Sequence, residues 1–234
     1  MRKIFFISTL LLTGVVFTLT SCKKNETEEN TPTPVTPTVD TTPPVITLMG
    51  DANMTIILNS TFTDPGATAT DNINGDITAN ITVTGTVNKD LAGSYTLKYS
   101  VSDAAGNTAT KNRTVSVENA ATNLAGSYNV TDVIGGGTPY AYTDFIAASS
   151  YVNNRIWVSK FAYYTNAAVY FDVNPINNTI VIPSQTVVCG SPAASRVFVG
   201  SGTYISSPNT VLTINYTETT GGTSFTGVET YTKQ

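Results

Sequence analysis

The chain has no histidine and only two cysteines, Cys22 and Cys189, among its 234 residues. Without imidazole the commonest general base and the usual zinc ligand are both missing, and two cysteines cannot build a disulfide framework. Charge is sparse as well: 12 Lys and Arg stand against 16 Asp and Glu, together 12% of the chain. That acidic balance excludes the basic surface a nucleic-acid partner requires. Beyond one N-terminal apolar run there is no hydrophobic segment that could hold the protein in a bilayer, and no long helical periodicity. What remains is 41% hydrophobic residues cut into short pieces by 17 glycines and 11 prolines. This is enough chain for one large or two small domains.

The N-terminus reads Met1-Arg2-Lys3 and then an uncharged apolar run from Ile4 to Thr20. This is the charged and greasy pattern of a secretory signal over residues 1–21. The run ends Leu19-Thr20-Ser21-Cys22, which resembles the lipobox of bacterial lipoproteins. The resemblance implies cleavage before Cys22, diacylglycerol on its sulfur and palmitate-type acylation. Two or three acyl chains give stable anchoring, since each buried CH₂ contributes roughly 0.8 kcal/mol. Losing Arg2 and Lys3 with the signal takes two positive charges from a net charge of −4 and leaves −6. An acidic body is repelled by anionic lipid, so the expected membrane contact is the lipid anchor alone.

After Cys22 the run Lys23-Lys24-Asn25-Glu26-Thr27-Glu28-Glu29 reads either as solvated linker or as similar to the acidic export signal of surface lipoproteins. From Asn30 to Pro44 the chain is mostly Thr, Pro and Val, with prolines at 32, 34, 37, 43 and 44. Proline favours extended polyproline II at about 3.1 Å per residue, so residues 22–42 are expected to be a stalk reaching ~60 Å when extended. Asp40-Thr41-Thr42 resembles a bacterial O-glycosylation acceptor.

Residues 43–118 carry short strand signals at Val45–Leu48, Met54–Leu58, Ile81–Thr84, Tyr95–Val101 and Arg113–Val117. Asp64-Pro65-Gly66, Asn74-Gly75-Asp76 and Asp103-Ala104-Ala105-Gly106-Asn107 supply turn chemistry between them. Leu97, Tyr99 and Val101 share one strand face, as do Val115 and Val117, which predicts half-buried antiparallel strands. In order and spacing, Phe62-Thr63-Asp64-Pro65-Gly66-Ala67-Thr68-Ala69-Thr70-Asp71, Asn74-Gly75-Asp76-Ile77-Thr78 and Val101-Ser102-Asp103-Ala104-Ala105-Gly106-Asn107 resemble the bacterial surface Ig-like family that also occurs in a pesticidal crystal protein. The resemblance implies a seven-stranded sandwich acting as spacer or adhesion module. Asp64, Asp71, Asp76 and Asp103 could converge at one pole, but Asp71–Asp76 puts Ile at the third and Gly at the fifth position, unlike an EF-hand. They are expected to be turn aspartates, with no metal site and no cofactor.

After Asn119-Ala120-Ala121-Thr122-Asn123, a small-residue linker that opens residues 119–234, the composition changes. Sixteen of the 22 aromatics lie from Tyr128 onward, so recognition is expected in this part of the chain. Eight strands are predicted: Gly126–Ile134, Tyr140–Ala147, Arg155–Phe161, Ala168–Val173, Thr179–Val188, Arg196–Ile205, Thr210–Thr217 and Phe225–Thr232. Eight antiparallel strands either close into a barrel or form a second sandwich. Closure removes exposed edges, so the barrel is expected. Leu124-Ala125-Gly126-Ser127-Tyr128 and the final Thr230-Tyr231-Thr232-Lys233 resemble the two ends of lipocalin-like domains. The expected class is therefore all-β: an Ig-like sandwich followed by an eight-stranded antiparallel lipocalin-like barrel.

Alternation separates Ile156 and Val158 from Arg155 and Trp157, and Val169, Phe171 and Val173 from Tyr170 and Asp172. Aromatic platforms beside Arg and Asp hold sugar rings, the ring face against C–H groups and the charged groups on hydroxyls. Trp157, Arg155, Tyr170 and Asp172 are thus the candidate ligand-binding residues, either lining the barrel or on its outside. Cys189 has no partner once Cys22 is acylated and reads as a small buried hydrophobe. Asp132, Asp144, Asp172, Glu218 and Glu229 are the acids of this part, and nothing in their spacing singles out a glycosidase pair. The expected function is a non-catalytic, lipid-anchored outer-membrane protein of the cell surface that binds glycan or another small ligand. The alternative is a structural or interaction module contacting an outer-membrane protein partner.

Overall fold

The computed structural model describes residues 39–234. The signal segment, Cys22 and the stalk up to residue 38 lie outside them. Turn residues cut the first part into β1 (Val45–Leu48), β2 (Asn53–Ile57), β3 (Ala67–Asp71), β4 (Gly75–Asp76), β5 (Thr82–Thr84), β6 (Gly93–Ser102) and β7 (Thr108–Glu118). They form a three-stranded sheet ordered β1-β3-β4 and a four-stranded sheet ordered β2-β7-β6-β5, the two layers of an Ig-like sandwich. Leu97, Tyr99 and Val101 of β6 face Ile46, Ala67, Ala69 and Ile77 in its core, as their alternation predicts. Arg113 shares the inward parity of Val115 and Val117 and is fully buried. It survives there because its guanidinium pairs with Asp64, donates to the carbonyls of Asp51 and Gly66 at 3.1 and 3.2 Å, and donates to the Tyr99 hydroxyl at 2.9 Å.

The second part forms β8 (Gly126–Ile134), β9 (Tyr140–Ala148), β10 (Arg155–Val158), β11 (Val169–Asn174), β12 (Thr179–Cys189), β13 (Ala194–Ile205), β14 (Val211–Thr220) and β15 (Thr223–Lys233). Each strand pairs antiparallel with its sequence neighbour, and β15 pairs with β8 to close an eight-stranded barrel. The strand expected over 155–161 ends at Val158. Residues beyond it turn into the barrel instead, with Ala162 and Tyr163 at φ 51° and 64°, and bury Phe161 and Ala162. The ring of Phe161 stands 5.6 Å from Phe171, 5.3 Å from Phe198 and 4.9 Å from Tyr216, centroid to centroid. Strand direction puts this segment at one end of the barrel and Leu124, also fully buried, at the other. Both ends are filled.

The segment expected to be a free linker is built into the barrel. Asn119, 3% exposed, donates its side-chain amide to the carbonyls of Ser149, Val152 and Arg155, each at 3.0 Å, and accepts from the amides of Ala121 and Asn154 at 2.9 Å. The sandwich touches the same β9–β10 turn: Ala92 N–H donates to Ser150 O at 2.8 Å, and Asn153 N–H to Asn59 Oδ1 at 3.0 Å. Residues Val39–Gln234 accordingly form one unit.

Candidate functional site

The four residues singled out by alternation meet on the outer wall of the barrel. Register pairs Arg155 with Asp172 and Trp157 with Tyr170 across β10 and β11. Inward-facing Ile156, Val158, Val169 and Phe171 anchor both strands in the core. Arg155 Nε donates to Asp172 Oδ1 at 2.7 Å and Nη2 to Oδ2 at 2.9 Å, a bidentate pair. That pair raises the Arg155 pKa above its ordinary value, hydrogen bonding to Asp172 outweighing desolvation. The guanidinium also lies 3.8 Å above the Tyr170 ring centroid. The Trp157 and Tyr170 rings are 5.2 Å apart and tilted by 58°. Trp157 is 40% exposed. With one Tyr170 face covered by Arg155, the partly exposed indole of Trp157 is what the cluster turns to solvent.

The interior holds a second constellation that sequence reading did not assemble. Glu229, fully buried, accepts from the hydroxyl of Tyr142 and from Ala162 N–H at 2.7 Å through Oε1, and from the Tyr231 hydroxyl at 2.7 Å through Oε2. Burial pushes its pKa up to about 8, against the lowering effect of the tyrosine hydrogen bonds. Asp132, likewise buried, accepts from the Tyr216 hydroxyl at 3.0 Å, and its Oδ2 has no partner. Desolvation raises its pKa too. Glu218 pairs with Arg196, which lies 4.3 Å over the Tyr164 ring. Strand parity is the signal that could have found these acids, since 132, 218 and 229 alternate in phase with Tyr128, Tyr216 and Tyr231.

This network has no open approach: the Phe161–Ala162 segment covers Glu229 and donates a hydrogen bond to it. Tyrosine hydroxyls and one backbone amide hydrogen-bond its buried acids, and among the described residues the Oδ2 of Asp132 is left without a partner. Cys189 is also buried, and desolvation raises its thiol pKa, as expected of a structural cysteine. A depression of about 800 Å³ is an open trough on the outer wall lined by Val199, Ser201, Asn215, Thr226 and Val228 among others.

Residues 46–117 match the family model of the bacterial surface protein Ig-like domain. No curated protein matches the chain. Among solved structures, the lipoprotein BT2262 from Bacteroides thetaiotaomicron is similar at 22% identity, over 82% of this chain and 100% of that one, with a TM-score of 0.34. The protein BF2706 of Bacteroides fragilis, provisionally described as an outer membrane protein, is similar at 13% identity over 75% of this chain and 70% of that one, TM-score 0.36. A Clostridium perfringens ZmpB structure of CBM51-2 with GlcNAc and INT domains is similar at 14% identity over 81% and 44%, TM-score 0.28. What those three proteins bind or attach to is a property of those proteins. What this chain carries, over residues 46–117, is a bacterial surface-protein Ig-like domain.

Proposed function

We propose that this chain is a non-catalytic, lipid-anchored protein of the bacterial outer surface. Its Ig-like domain holds the C-terminal barrel away from the membrane, and the barrel recognises glycan through its outer wall. Support for the anchor comes from Cys22 at the end of a signal-like run, and support for display from the Ig-like domain and the Pro/Thr-rich stalk. The observation that carries the recognition reading is the assembly of Trp157, Tyr170, Arg155 and Asp172 into one exposed cluster. With the interior filled and both ends closed, a ligand meets this protein from outside.

Trp157 is the sole tryptophan, so its emission reports on the platform directly. Titration of a saccharide panel should change that emission for at least one member. In Trp157→Ala the same saccharide should no longer bind by calorimetry, with the barrel's circular dichroism unchanged. A folded wild-type chain that responds to no member of a broad panel defeats the glycan reading. Fatty-acid labelling of cells should mark the wild type and not Cys22→Ser. Protease shaving of intact cells should remove the barrel, and survival of both domains would refute surface display.

A second reading, contact with an outer-membrane protein partner, is favoured by exposed apolar side chains distributed around the outside of the barrel. Phe145, Trp157, Val181, Val199 and Val228 are each more than a third exposed. Cross-linking from Val199 and Val228 in whole cells, retained in Trp157→Ala, distinguishes this reading from glycan binding.

A further inference from the structure

Three carboxylates converge at one pole of the Ig-like sandwich. Asp40 lies on the chain entering β1, Asp71 ends β3, and Asp103 opens the turn between β6 and β7. Each offers a carboxylate oxygen, and these oxygens all lie within 4.8 Å of one another. Asp71 Oδ1 accepts from the amides of Ile73 and Asn74 at 3.0 and 2.7 Å. Asp103 accepts from the backbone and side-chain amides of Asn107, both at 2.8 Å. Asp40 Oδ1 accepts from Thr42 N–H at 3.0 Å. Asp71 is only 9% exposed, yet its Oδ2 has no hydrogen-bond partner, and neither has the shielded Oδ2 of Asp40. Among the described residues, none of the three pairs with a lysine or arginine.

Such a cluster is unfavourable on its own terms. Like charges repel, and a shielded carboxylate oxygen without a donor has lost its water for nothing. A hard cation answers both problems together. Calcium binds six to eight oxygens at about 2.3–2.6 Å, so two of its ligands stand at most about 5 Å apart, which matches the spread here. Magnesium, at about 2.0–2.1 Å, demands a tighter and near-octahedral set. We propose that Asp40, Asp71 and Asp103 bind one Ca²⁺ ion.

One such ion joins three segments: the chain arriving from the Pro/Thr-rich stretch, the three-stranded sheet through β3, and the four-stranded sheet through β6. These segments already touch, with Asn107 Nδ2 donating to Asp40 O at 3.2 Å and Ala104 N–H to Asn74 Oδ1 at 3.1 Å. The consequence is mechanical. Calcium fastens the entry of the chain to both layers of the sandwich, so the junction stiffens in calcium-containing surroundings and loosens when calcium is removed. All four aspartates hold turns as expected, Asp64 accepting from Gly66 N–H at 3.2 Å beside its pair with Arg113 and Asp76 from Thr78 N–H at 2.9 Å, and the ion is a further role for Asp71 and Asp103.

The test uses the full chain purified in detergent, stripped with EGTA and titrated with CaCl₂ by calorimetry. We expect one saturable site with a dissociation constant of about 10⁻⁴–10⁻³ M, in the range of extracellular modules. Thermal unfolding should shift upward by ~5 °C at saturating calcium, and MgCl₂ at the same concentration should do markedly less. Asp71→Asn should abolish the heat. Asp40→Asn, which changes a residue outside every strand, should weaken binding at least ~10-fold and serves as the test should Asp71→Asn fail to fold. No saturable heat and no thermal shift up to ~10 mM calcium, or binding undiminished in Asp40→Asn, overturns the site.

Discussion

The side-chain amide of Gln185 stands in for a neighbouring strand beside Tyr170. Its Oε1 accepts from Tyr170 N–H at 3.1 Å, and its Nε2 donates to Tyr170 O at 2.8 Å. The β11–β12 ladder covers only Asp172–Asn174 of β11, and β12 is irregular between Ile182 and Gln185, where Pro183 has no N–H to offer. Gln185 therefore satisfies the backbone of the residue that carries the Arg155 and Trp157 stack. Gln185→Ala should cost about 1–3 kcal/mol in urea denaturation, because both Tyr170 backbone groups lose their partner. Gln185→Glu should cost a similar amount: a carboxylate accepts the N–H but cannot donate to the carbonyl.

Much of this wall was legible because alternation is a local property. The parity of Arg155, Trp157, Tyr170 and Asp172 follows from where the apolar residues of each strand fall, and closure of the sheet converts that parity into one outer face. Whether the face lined a cavity or solvent could not be read that way, because it depends on residues from outside the two strands. Phe161 fills the interior from a segment whose composition reads as more strand. Ala121 packs into the same core, and Asn119 ties down the β9–β10 turn, from a stretch whose small residues read as linker. Gln185 escaped for a similar reason, since a side chain replacing a ladder partner leaves no periodic trace. Asp40 carries no strand signal, so its meeting with Asp71 and Asp103 depends wholly on tertiary placement.

The Arg155–Asp172 pair separates recognition from stability. Both side chains are partly exposed, at 24% and 38%, so the pair is screened by solvent and contributes little to folding. Asp172→Asn should change the unfolding free energy by less than about 1 kcal/mol. It should nevertheless weaken any saccharide that responds to Trp157, since Arg155 loses the partner that holds its guanidinium over Tyr170. A saccharide affinity unchanged in this variant would leave Trp157 as the recognition element without Arg155.

Gly227 makes room for Tyr216. The two are register partners on β15 and β14, and a Cβ on residue 227 would come within 2.4 Å of the Tyr216 hydroxyl and ring end. Gly227→Ala must therefore displace the ring and break its bond to Asp132, leaving that buried acid with no partner. Overpacking of this kind costs typically 1–3 kcal/mol, so a loss of about 2 kcal/mol is expected in chemical denaturation. In a Tyr216→Leu background the added cost of Gly227→Ala should shrink, because the colliding atoms are gone. A double-mutant cycle measures that coupling.

Glu229 makes the barrel sensitive to alkali rather than to acid. In the folded chain it holds its proton up to about pH 8, whereas an unperturbed glutamate releases it near 4.5. Between those values the unfolded chain binds fewer protons than the folded one, so unfolding becomes easier as pH rises through this window. The slope from this group approaches about 1.4 kcal/mol per pH unit and flattens above pH 8, where both states are ionised. Asp132, also raised by desolvation, acts with the same sign. The stability contributed by the protonated acid is complete below pH 4.5 and is lost by the time the folded group ionises. Glu229→Gln removes this titration while keeping an acceptor for Tyr142 and Ala162, so its urea midpoint should fall less steeply between pH 5 and 8 than that of the wild type. A wild-type midpoint that rises across this range would mean that Glu229 is ionised in the folded barrel, held by its two tyrosine hydroxyls and the Ala162 amide against the cost of burial.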